Sequence, residues 1–252
     1  VSSLHAPFRP VFELRQIEQD KLDRLSSLIE ELNGEQDSCR IHLIGEHDGS
    51  AFSGIGGSYG AIGGAPSLLV FLVNENAADG YARIGYHGEA VVLEAVSEGL
   101  GTCWVSGMFS RDGVTRAIET SANERIVAVS PLGYSAEKKA VSERMISGLA
   151  GSARRKPLEQ LVDEDVNRWP EWARSAAEAA RHAPSAMNRQ PWLFRYEEER
   201  LSVKPSGSAS RNASKSLDCG IALRHLEVGA RHVLGASVEV EFVSPPEVAA
   251  VR

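Results

Sequence analysis

Small polar side chains that could hold a ligand are concentrated in one short stretch of the chain, at Ser185, Asn188 and Gln190. A hydroxyl and two amides can each donate and accept hydrogen bonds. The stretch lies between Pro184 and Pro191, and we call residues 184–191 the elbow. Such groups on an irregular backbone suit a flat polar ligand that approaches the main chain closely.

The elbow separates a predicted helix from a predicted strand. Residues 172–183 are rich in alanine and lack interior glycine and proline, which favours a helix. Pro184 prevents a further helical turn, because it lacks an N–H and clashes with the preceding turn. Residues 192–196 are rich in aromatic side chains, which is typical of a strand. The alternative is an ordinary helix-to-strand turn, since turns often contain Ser and Asn.

Apolar spacing elsewhere predicts further helices and strands. Helices are predicted at 17–32, 85–99 and 217–235. In the second of these, the residues predicted to face inward are Val91, Val92, Ala95 and Val96. Strands are predicted at 39–45, 68–73, 102–105, 125–130, 201–204 and 237–243. Pro131 is predicted to close the fourth of them.

Composition and motifs argue against several classes of protein. A net charge of -7 disfavours a nucleic-acid-binding surface, which needs a broad basic face. The three cysteines lie far apart and lack ligand spacing, so neither a disulfide framework nor a metal site is predicted. The glycines at 54–64 lack the Lys-Ser/Thr ending of a phosphate loop and are predicted to form a flexible connection. No apolar run reaches the roughly 20 residues of a membrane span, so we expect a cytoplasmic protein without membrane contact.

The two halves of the chain resemble each other when one is shifted by 135 positions. The shift places Gly85 on Gly220 and Val91 on Leu226, and each of these helices then leads into a predicted strand. A weak repeat of this kind indicates duplication, although chance similarity of two amphipathic helices is the alternative. We therefore predict an N-terminal half over 1–150 and a C-terminal half over 151–252.

The elbow resembles a motif of FMN-dependent nitroreductases, in which Pro-Ser, Asn and Gln-Pro-Trp recur at this spacing. Most of the chain is similar to the duplicated, single-chain branch catalogued as "putative TM nitroreductases". The resemblance implies an α+β, nitroreductase-like fold, in which two pseudo-repeated halves each have a mostly antiparallel sheet flanked by helices. It also implies an intramolecular pseudo-dimer, so that the protein is a monomer that mimics a homodimer.

The resemblance implies three groups of FMN-binding residues. The elbow would contact the flavin and its ribityl chain, a turn after a short strand would lie against the ring, and a basic segment would hold the phosphate. The alternative for the basic segment is a solvated charge run in a linker. The implied residues are Pro184, Ser185, Asn188 and Gln190 at the elbow, Trp104, Val105, Ser106 and Gly107 at the turn, and Arg154, Arg155 and Lys156 in the basic segment.

One segment departs from the family pattern. Nitroreductases usually open with Arg-Ser-x-Arg, which grips the phosphate and the polar edge of the flavin, whereas residues 7–12 here contain only Arg9. The first half also lacks a Pro-Ser elbow, and Glu241-Phe242 stands where the second half would need a Ser-Gly turn. We therefore expect one FMN per chain, with Arg9 as the remaining candidate from the opening segment.

The family mechanism implies the function. NADH or NADPH would give hydride to the flavin and leave, and a small-molecule acceptor such as a nitroaromatic or a quinone would then take the electrons in a ping-pong reaction. No side chain is needed as an obligatory acid or base, so no catalytic residue is assigned. The alternatives are an FMN-binding carrier or sensor without turnover, and a degenerate protein that binds nothing.

Overall fold

The first sheet is antiparallel throughout, and its strands lie in the order Cys39–Ile44, Ser67–Asn74, Glu124–Gly133 and Gly101–Thr102. The computed structural model describes residues 12–46, 51, 65–107, 109–135, 154–207, 214–235, 238–243 and 249–252. Arg9 and the glycines at 54–64 lie outside these residues. The chain divides into a first unit, Val1–Ala77 with Val91–Ala153, and a second unit, Ala78–Ala90 with Arg154–Arg252.

Both units combine α-helices with β-strands. The described α-helices are α1 (Gln19–Gly34), α2 (Gly80–Ser97), α3 (Arg111–Thr115), α4 (Glu171–Arg181) and α5 (Lys215–Leu234). The first sheet contains β1 (Cys39–Ile44), β2 (Ser67–Asn74), β3 (Gly101–Thr102) and β4 (Glu124–Gly133). The second contains β5 (Trp192–Glu197), β6 (Arg200–Pro205), β7 (Val240–Phe242) and β8 (Ala249–Val251). The predicted α+β class with two antiparallel sheets is confirmed.

The core of the first unit is built on the central strand β2. Its residues are buried from Ser67 to Val73, because strands pair with it on both edges and other elements cover it. Leu68, Val70 and Leu72 alternate along the strand and therefore project from one face. They share a hydrophobic cluster with residues of β4 and of the segment after β3.

Pro131 does not end β4, contrary to the prediction, and instead interrupts the pairing beside it. Val105 and Val129 exchange backbone hydrogen bonds of 2.9 Å, so the next hydrogen-bonded pair would join Cys103 and Pro131. Proline has no N–H to donate, and the Cys103 N–H turns to the Ser130 hydroxyl oxygen at 3.1 Å. The predicted strand at 102–105 is therefore reduced to β3 and an isolated bridge at Val105.

The second sheet begins with a tight hairpin. β5 and β6 pair from Trp192–Pro205 to Glu197–Arg200, which leaves a loop of Glu198 and Glu199. Both loop residues have positive φ, at 52° and 59°, as a type I′ turn requires. β8 extends the sheet beyond β6, and β7 closes its other edge.

Small residues let the helices of the second unit pack closely. A Cβ on Gly229 of α5 would lie 2.7 Å from the Ala176 Cα of α4. A Cβ on Gly220 of α5 would lie 2.0 Å from the Ala82 carbonyl oxygen of α2, and one on Gly85 would lie 2.2 Å from the Leu217 oxygen. Real Cβ atoms do not approach other atoms so closely, so both helix contacts depend on glycine.

The orientation predicted for α2 is correct except at its last position. Val91, Val92 and Ala95 are buried as predicted, but Val96 is 52% exposed, so its predicted inward orientation was wrong. None of the helices in the described part of the chain is long and apolar enough to cross a membrane. The cytoplasmic location and the monomeric state stay predictions.

Candidate functional site

The elbow begins where α4 stops. The Ala183 N–H still bonds to the Ala180 carbonyl oxygen at 3.0 Å, and Pro184 then ends the helix as predicted. Ser185 is extended, with φ -149° and ψ 156°, and a short 3-10 turn follows over Ala186–Asn188. The backbone therefore changes from helical to extended and then to a 3-10 turn within a few residues before it enters β5.

Three elbow residues that are not glycine adopt the left-handed conformation. The φ values are 54° for Met187, 52° for Asn188 and 48° for Gln190. Such backbone strain costs on the order of 1–3 kcal/mol per residue and is concentrated at functional sites. Asn tolerates this region, but Met and Gln rarely visit it. The surrounding contacts must therefore hold the elbow in place.

Ser185 and Gln190 supply part of that support. The Gln190 N–H donates to the Ser185 hydroxyl oxygen at 2.9 Å, and the Asn188 N–H donates to the Ser185 carbonyl oxygen at 2.9 Å. Gln190 is 3% exposed, although its polar side chain is long enough to reach solvent. The Ser185 hydroxyl accepts the Gln190 bond through its oxygen, and its own O–H can be donated to a ligand.

The basic segment, Arg154–Lys156, folds onto the elbow. Arg155 Nη1 donates to Asn188 Oδ1 at 3.1 Å, and Asn188 Nδ2 donates to the Arg154 carbonyl oxygen at 2.8 Å. The Lys156 backbone N–H donates to Gln190 Oε1 at 2.7 Å, while its ammonium donates to the Gln190 carbonyl oxygen at 3.0 Å. These contacts do not fit a solvated charge run, and they bring two of the three predicted groups together.

Arg155 is placed where an anion would stabilise it. Its Nε and Nη2 donate to the His182 carbonyl oxygen at 3.3 and 3.1 Å. Burial, and then the nearby charge of Arg181, lower the pKa of Arg155. A guanidinium that is destabilised by burial and by another cation gains free energy when an anion such as a phosphate binds next to it. The residues present therefore fit a phosphate group.

A buried carboxylate that we did not predict lies against the elbow. Asp218 is in the first turn of α5 and is 2% exposed. Its Oδ1 accepts the Ala186 N–H at 3.1 Å, and its Oδ2 lies 3.7 Å from Arg189 Nη2. Burial raises its pKa to about 6, against the effects of the Ala186 N–H and of the Arg189 charge. An acidic residue at the start of a predicted helix was the available sequence signal, but such residues usually face solvent.

The predicted turn residues belong to the first unit. Trp104 stacks on Phe71 with ring centroids 4.1 Å apart, and Val105 is buried at its bridge with Val129. Ser106 is half-buried and Gly107 is exposed in the bend that follows. The prediction that one flavin contacts both this turn and the elbow stays a prediction.

Two chemical alternatives find little support near these residues. Burial raises the pKa of the Cys103 thiol to about 11, so this cysteine is not a thiolate nucleophile at neutral pH. Across the described ranges, no three His, Cys, Asp or Glu side chains lie together as metal ligands would. The polar groups of the elbow, the cations of the basic segment and the carboxylate of Asp218 lie together in the second unit and form the candidate site.

Comparison with known proteins gives a family and a structural match that extends over nearly the whole chain. The family model described as "Putative TM nitroreductase" matches residues 10–230. A solved structure from Thermotoga maritima MSB8, described as a putative nitroreductase, shares 19% identity and a TM-score of 0.63 over 98% of this chain and 89% of its own. At that identity the likeness concerns the fold.

Shorter matches come from two clostridial structures. A nitroreductase family protein from Clostridium difficile 630 has 18% identity and a TM-score of 0.47 over 64% of this chain and 95% of its own. An FMN-dependent nitroreductase from Clostridium difficile R20291 has 14% identity and a TM-score of 0.42 over 52% and 83%. Among curated proteins, none matches the chain.

Proposed function

Because the chain belongs to the family described as "Putative TM nitroreductase", which supports an oxidoreductase activity, we propose that it is an FMN-dependent oxidoreductase. It takes electrons from NADH or NADPH and passes them to a nitroaromatic, a quinone or a similar small acceptor. The observation that carries the proposal is the set of hydrogen bonds that join the strained elbow to the basic segment. This surface combines cations with amide and hydroxyl groups, as a flavin mononucleotide needs.

The basic segment is suited to the FMN phosphate. Arg155 and Lys156 are both half-buried and both are held by elbow atoms. A guanidinium and an ammonium that are already positioned lose little side-chain entropy when a phosphate binds beside them. Each charge-assisted hydrogen bond to the phosphate would contribute about 1.5–3 kcal/mol.

The elbow is suited to the polar parts of the flavin. The Ser185 O–H can donate to a ribityl or ring oxygen, since only its oxygen is used by the Gln190 N–H. Asn188 presents an amide that already exchanges hydrogen bonds with Arg154 and Arg155. The bound flavin would supply the redox chemistry, accepting hydride from the nicotinamide and releasing electrons to the acceptor. The protein binds and orients it, and no side chain is assigned as an acid or base.

An absorption spectrum of the purified protein tests the proposal. We expect visible flavin absorption, either as purified or after reconstitution with FMN, and bleaching when NADH or NADPH is added without oxygen. Reoxidation by a quinone or a nitroaromatic should restore the spectrum. Protein that stays colourless after incubation with FMN would contradict the proposal.

The same titration separates an enzyme from a carrier or sensor. If FMN binds and dithionite bleaches it, but neither nicotinamide does, the protein is a flavin-binding protein without turnover. Free FMN at the same concentration is the control, because its slow reduction by nicotinamides sets the background rate.

A further inference from the structure

We propose that Asp218 is a positioning residue that holds the elbow in its flavin-binding conformation. This inference rests on the proposed function and extends it to a residue outside the predicted site. Asp218 comes from α5, whereas the elbow connects α4 to β5. Two elements that are distant in sequence are thus joined at the most strained part of the second unit.

The contacts of Asp218 lie on either side of two of the three left-handed elbow residues, Met187 and Asn188. Its Oδ1 accepts the N–H of Ala186, which comes just before Met187, and its Oδ2 lies 3.7 Å from the guanidinium of Arg189, which comes just after Asn188. Arg189 also reaches back, because its Nε donates to the Ala186 carbonyl oxygen at 3.1 Å. One carboxylate therefore binds the start of the 3-10 turn by a hydrogen bond and lies beside the charge of Arg189 at its end.

These contacts of Asp218 matter because the elbow cannot keep its shape by local preference. Met187, Asn188 and Gln190 would each relax to negative φ if nothing opposed it. Relaxation at Met187 or Asn188 would move the amide of Asn188 and break its contacts with Arg154 and Arg155. The basic segment would then be held to the elbow only through Gln190. A ligand that needs both groups of residues would find them displaced from each other.

The burial of Asp218 argues that its carboxylate serves the elbow rather than stability. The side chain is 3% exposed, and burial of an ionised carboxylate opposes folding unless partners compensate. Among the described residues, its charge interacts with Arg189 on the elbow and with Cys219 on α5, and Cys219 in turn interacts with Lys215. Burial dominates and raises its pKa to about 6, so an apolar residue of similar size would make the more stable core.

Two variants of Asp218 and one control test the inference. Asp218→Asn keeps an oxygen that can accept the Ala186 N–H but removes the charge opposite Arg189, and Asp218→Ala removes both. The control is Glu227→Gln, because Glu227 is also on α5, is 4% exposed and binds Tyr86 and Arg231 instead of the elbow. It lies about 13 Å further along the helix at 1.5 Å per residue.

Two measurements are made on the full chain. The dissociation constant of FMN is measured between pH 5 and 8, and hydrogen–deuterium exchange is followed in the apo protein for the peptide that contains residues 185–190. We expect Asp218→Ala to weaken FMN binding at pH 8 at least about tenfold, as loss of a charged hydrogen bond does, and to speed exchange in that peptide. Asp218→Asn should weaken FMN binding less than Asp218→Ala does. It should also remove the part of the pH dependence of FMN affinity that comes from ionisation of Asp218. The FMN phosphate titrates equally in both proteins.

The outcomes separate this inference from the proposed function. If both Asp218 variants keep the wild-type affinity, pH profile and elbow exchange, or if Glu227→Gln changes them as much, the positioning role is wrong. If wild-type protein binds no FMN, the proposed function fails, but the exchange data still decide whether Asp218 holds the elbow. Should Asp218→Ala fail to fold, Asp218→Asn decides alone through the pH profile and the exchange rate.

Discussion

The two sheets share one strand order but differ in the connection that enters them. Counted from its own first strand, each sheet has the order first, second, fourth, third, and each pairs antiparallel throughout. In both, a helix precedes the first strand and a long helix follows the second. The shared scaffold makes the entering connections directly comparable.

The connection in the first unit is compact and relaxed. Asn33 at the end of α1 pairs its amide with both backbone groups of Ile41, with two bonds of 2.9 Å. Gln36 accepts the N–H groups of Ser38 and Cys39 at 2.8 and 2.9 Å. Side-chain amides thus satisfy backbone groups of this connection locally.

The connection in the second unit is the strained elbow. Among the described residues, every non-glycine residue with positive φ lies in the second unit, and three of the five are in the elbow. Since the first unit builds the same strand order without such residues in its described part, the fold does not require the strain. Strain that the fold does not require is expected at a ligand site, as the proposal of one FMN per chain would need.

The largest predicted effect tests whether the two long helices are equivalent. Gly85→Ala and Gly220→Ala should each lower the free energy of unfolding by about 3 kcal/mol or more, because the new Cβ would overlap a backbone oxygen of the other helix. Urea denaturation followed by tryptophan fluorescence measures this. Gly34→Ala is the control, since no atom lies within 4 Å of its Cβ position. Similar losses of stability in Gly85→Ala and Gly220→Ala would support the equivalence of the two helices. A mild effect in one of the two variants would contradict it.

The second prediction contrasts the charges of the two units. Arg155→Glu should weaken FMN binding about 100-fold, because it replaces a charge-assisted bond with repulsion of the phosphate. Arg125→Glu changes the net charge equally on the exposed surface of the first unit and should change the affinity less than twofold. Fluorescence quenching of FMN during titration with each protein gives the affinities. Equal losses in the two variants would assign the effect to net charge rather than to the basic segment.

The third prediction concerns the pH dependence of stability. The pKa of Glu124 in the first unit is lowered, whereas the pKa of Asp218 in the second unit is raised. The hydrogen bond from Arg40 lowers the pKa of Glu124, so its contribution to stability is present above the ordinary value of 4.5 and is lost as pH falls. Burial raises the pKa of Asp218 to about 6, so its contribution is present below 3.8 and is lost as pH rises through about 6.

The two carboxylates are separated by neutral variants. We compare the free energy of unfolding of Asp218→Asn with that of wild type at each pH. Between pH 4 and 7 this difference should shift by roughly 2 kcal/mol in favour of the variant. Glu124→Gln should give the opposite slope. Urea denaturation at a series of pH values measures both, and slopes of the same sign would show that Asp218 is compensated by its partners.

The smallest of the paired effects separates stability from binding. Asn33→Ala should lower the free energy of unfolding by about 1–2 kcal/mol, because two half-buried hydrogen bonds are lost, and should leave FMN affinity unchanged. Asn188→Gly should relieve left-handed strain at φ 52° and cost little stability, yet weaken FMN binding several-fold. Loss of FMN binding in Asn33→Ala would contradict the division of roles between the two connections.

Regular elements were predictable because their apolar spacing is strong. The helix predicted at 17–32 forms over Gln19–Gly34, and the strand predicted at 39–45 forms over Cys39–Ile44. Short elements were missed: α3 has five residues and depends on a cap by Ser110, and β8 has three. The exposure of Val96 shows the limit of periodicity, which gives direction around a helix axis but not where the neighbouring core ends.

The residue types of the candidate site could be read from the sequence, but the geometry of the elbow could not. Proline, serine and amide residues at fixed spacing marked the elbow, and the basic segment was chosen by resemblance. The left-handed backbone of Met187 and Gln190 could not be foreseen, because neither residue prefers it. Asp218 was missed for a related reason, since its burial follows from tertiary contacts with Ala186 and Arg189 and not from its own neighbourhood in sequence.

The hairpin loop of Glu198 and Glu199 is a position where substitution should raise the thermal stability of the second unit. Both residues are exposed and left-handed, at a turn where an Asn-Gly pair fits without strain. The double substitution Glu198→Asn with Glu199→Gly should raise the free energy of unfolding by about 1 kcal/mol, visible as a higher melting temperature. Because the loop lies at the opposite end of β5 from the elbow, an engineer could use this gain to tolerate mutations that reshape the binding surface.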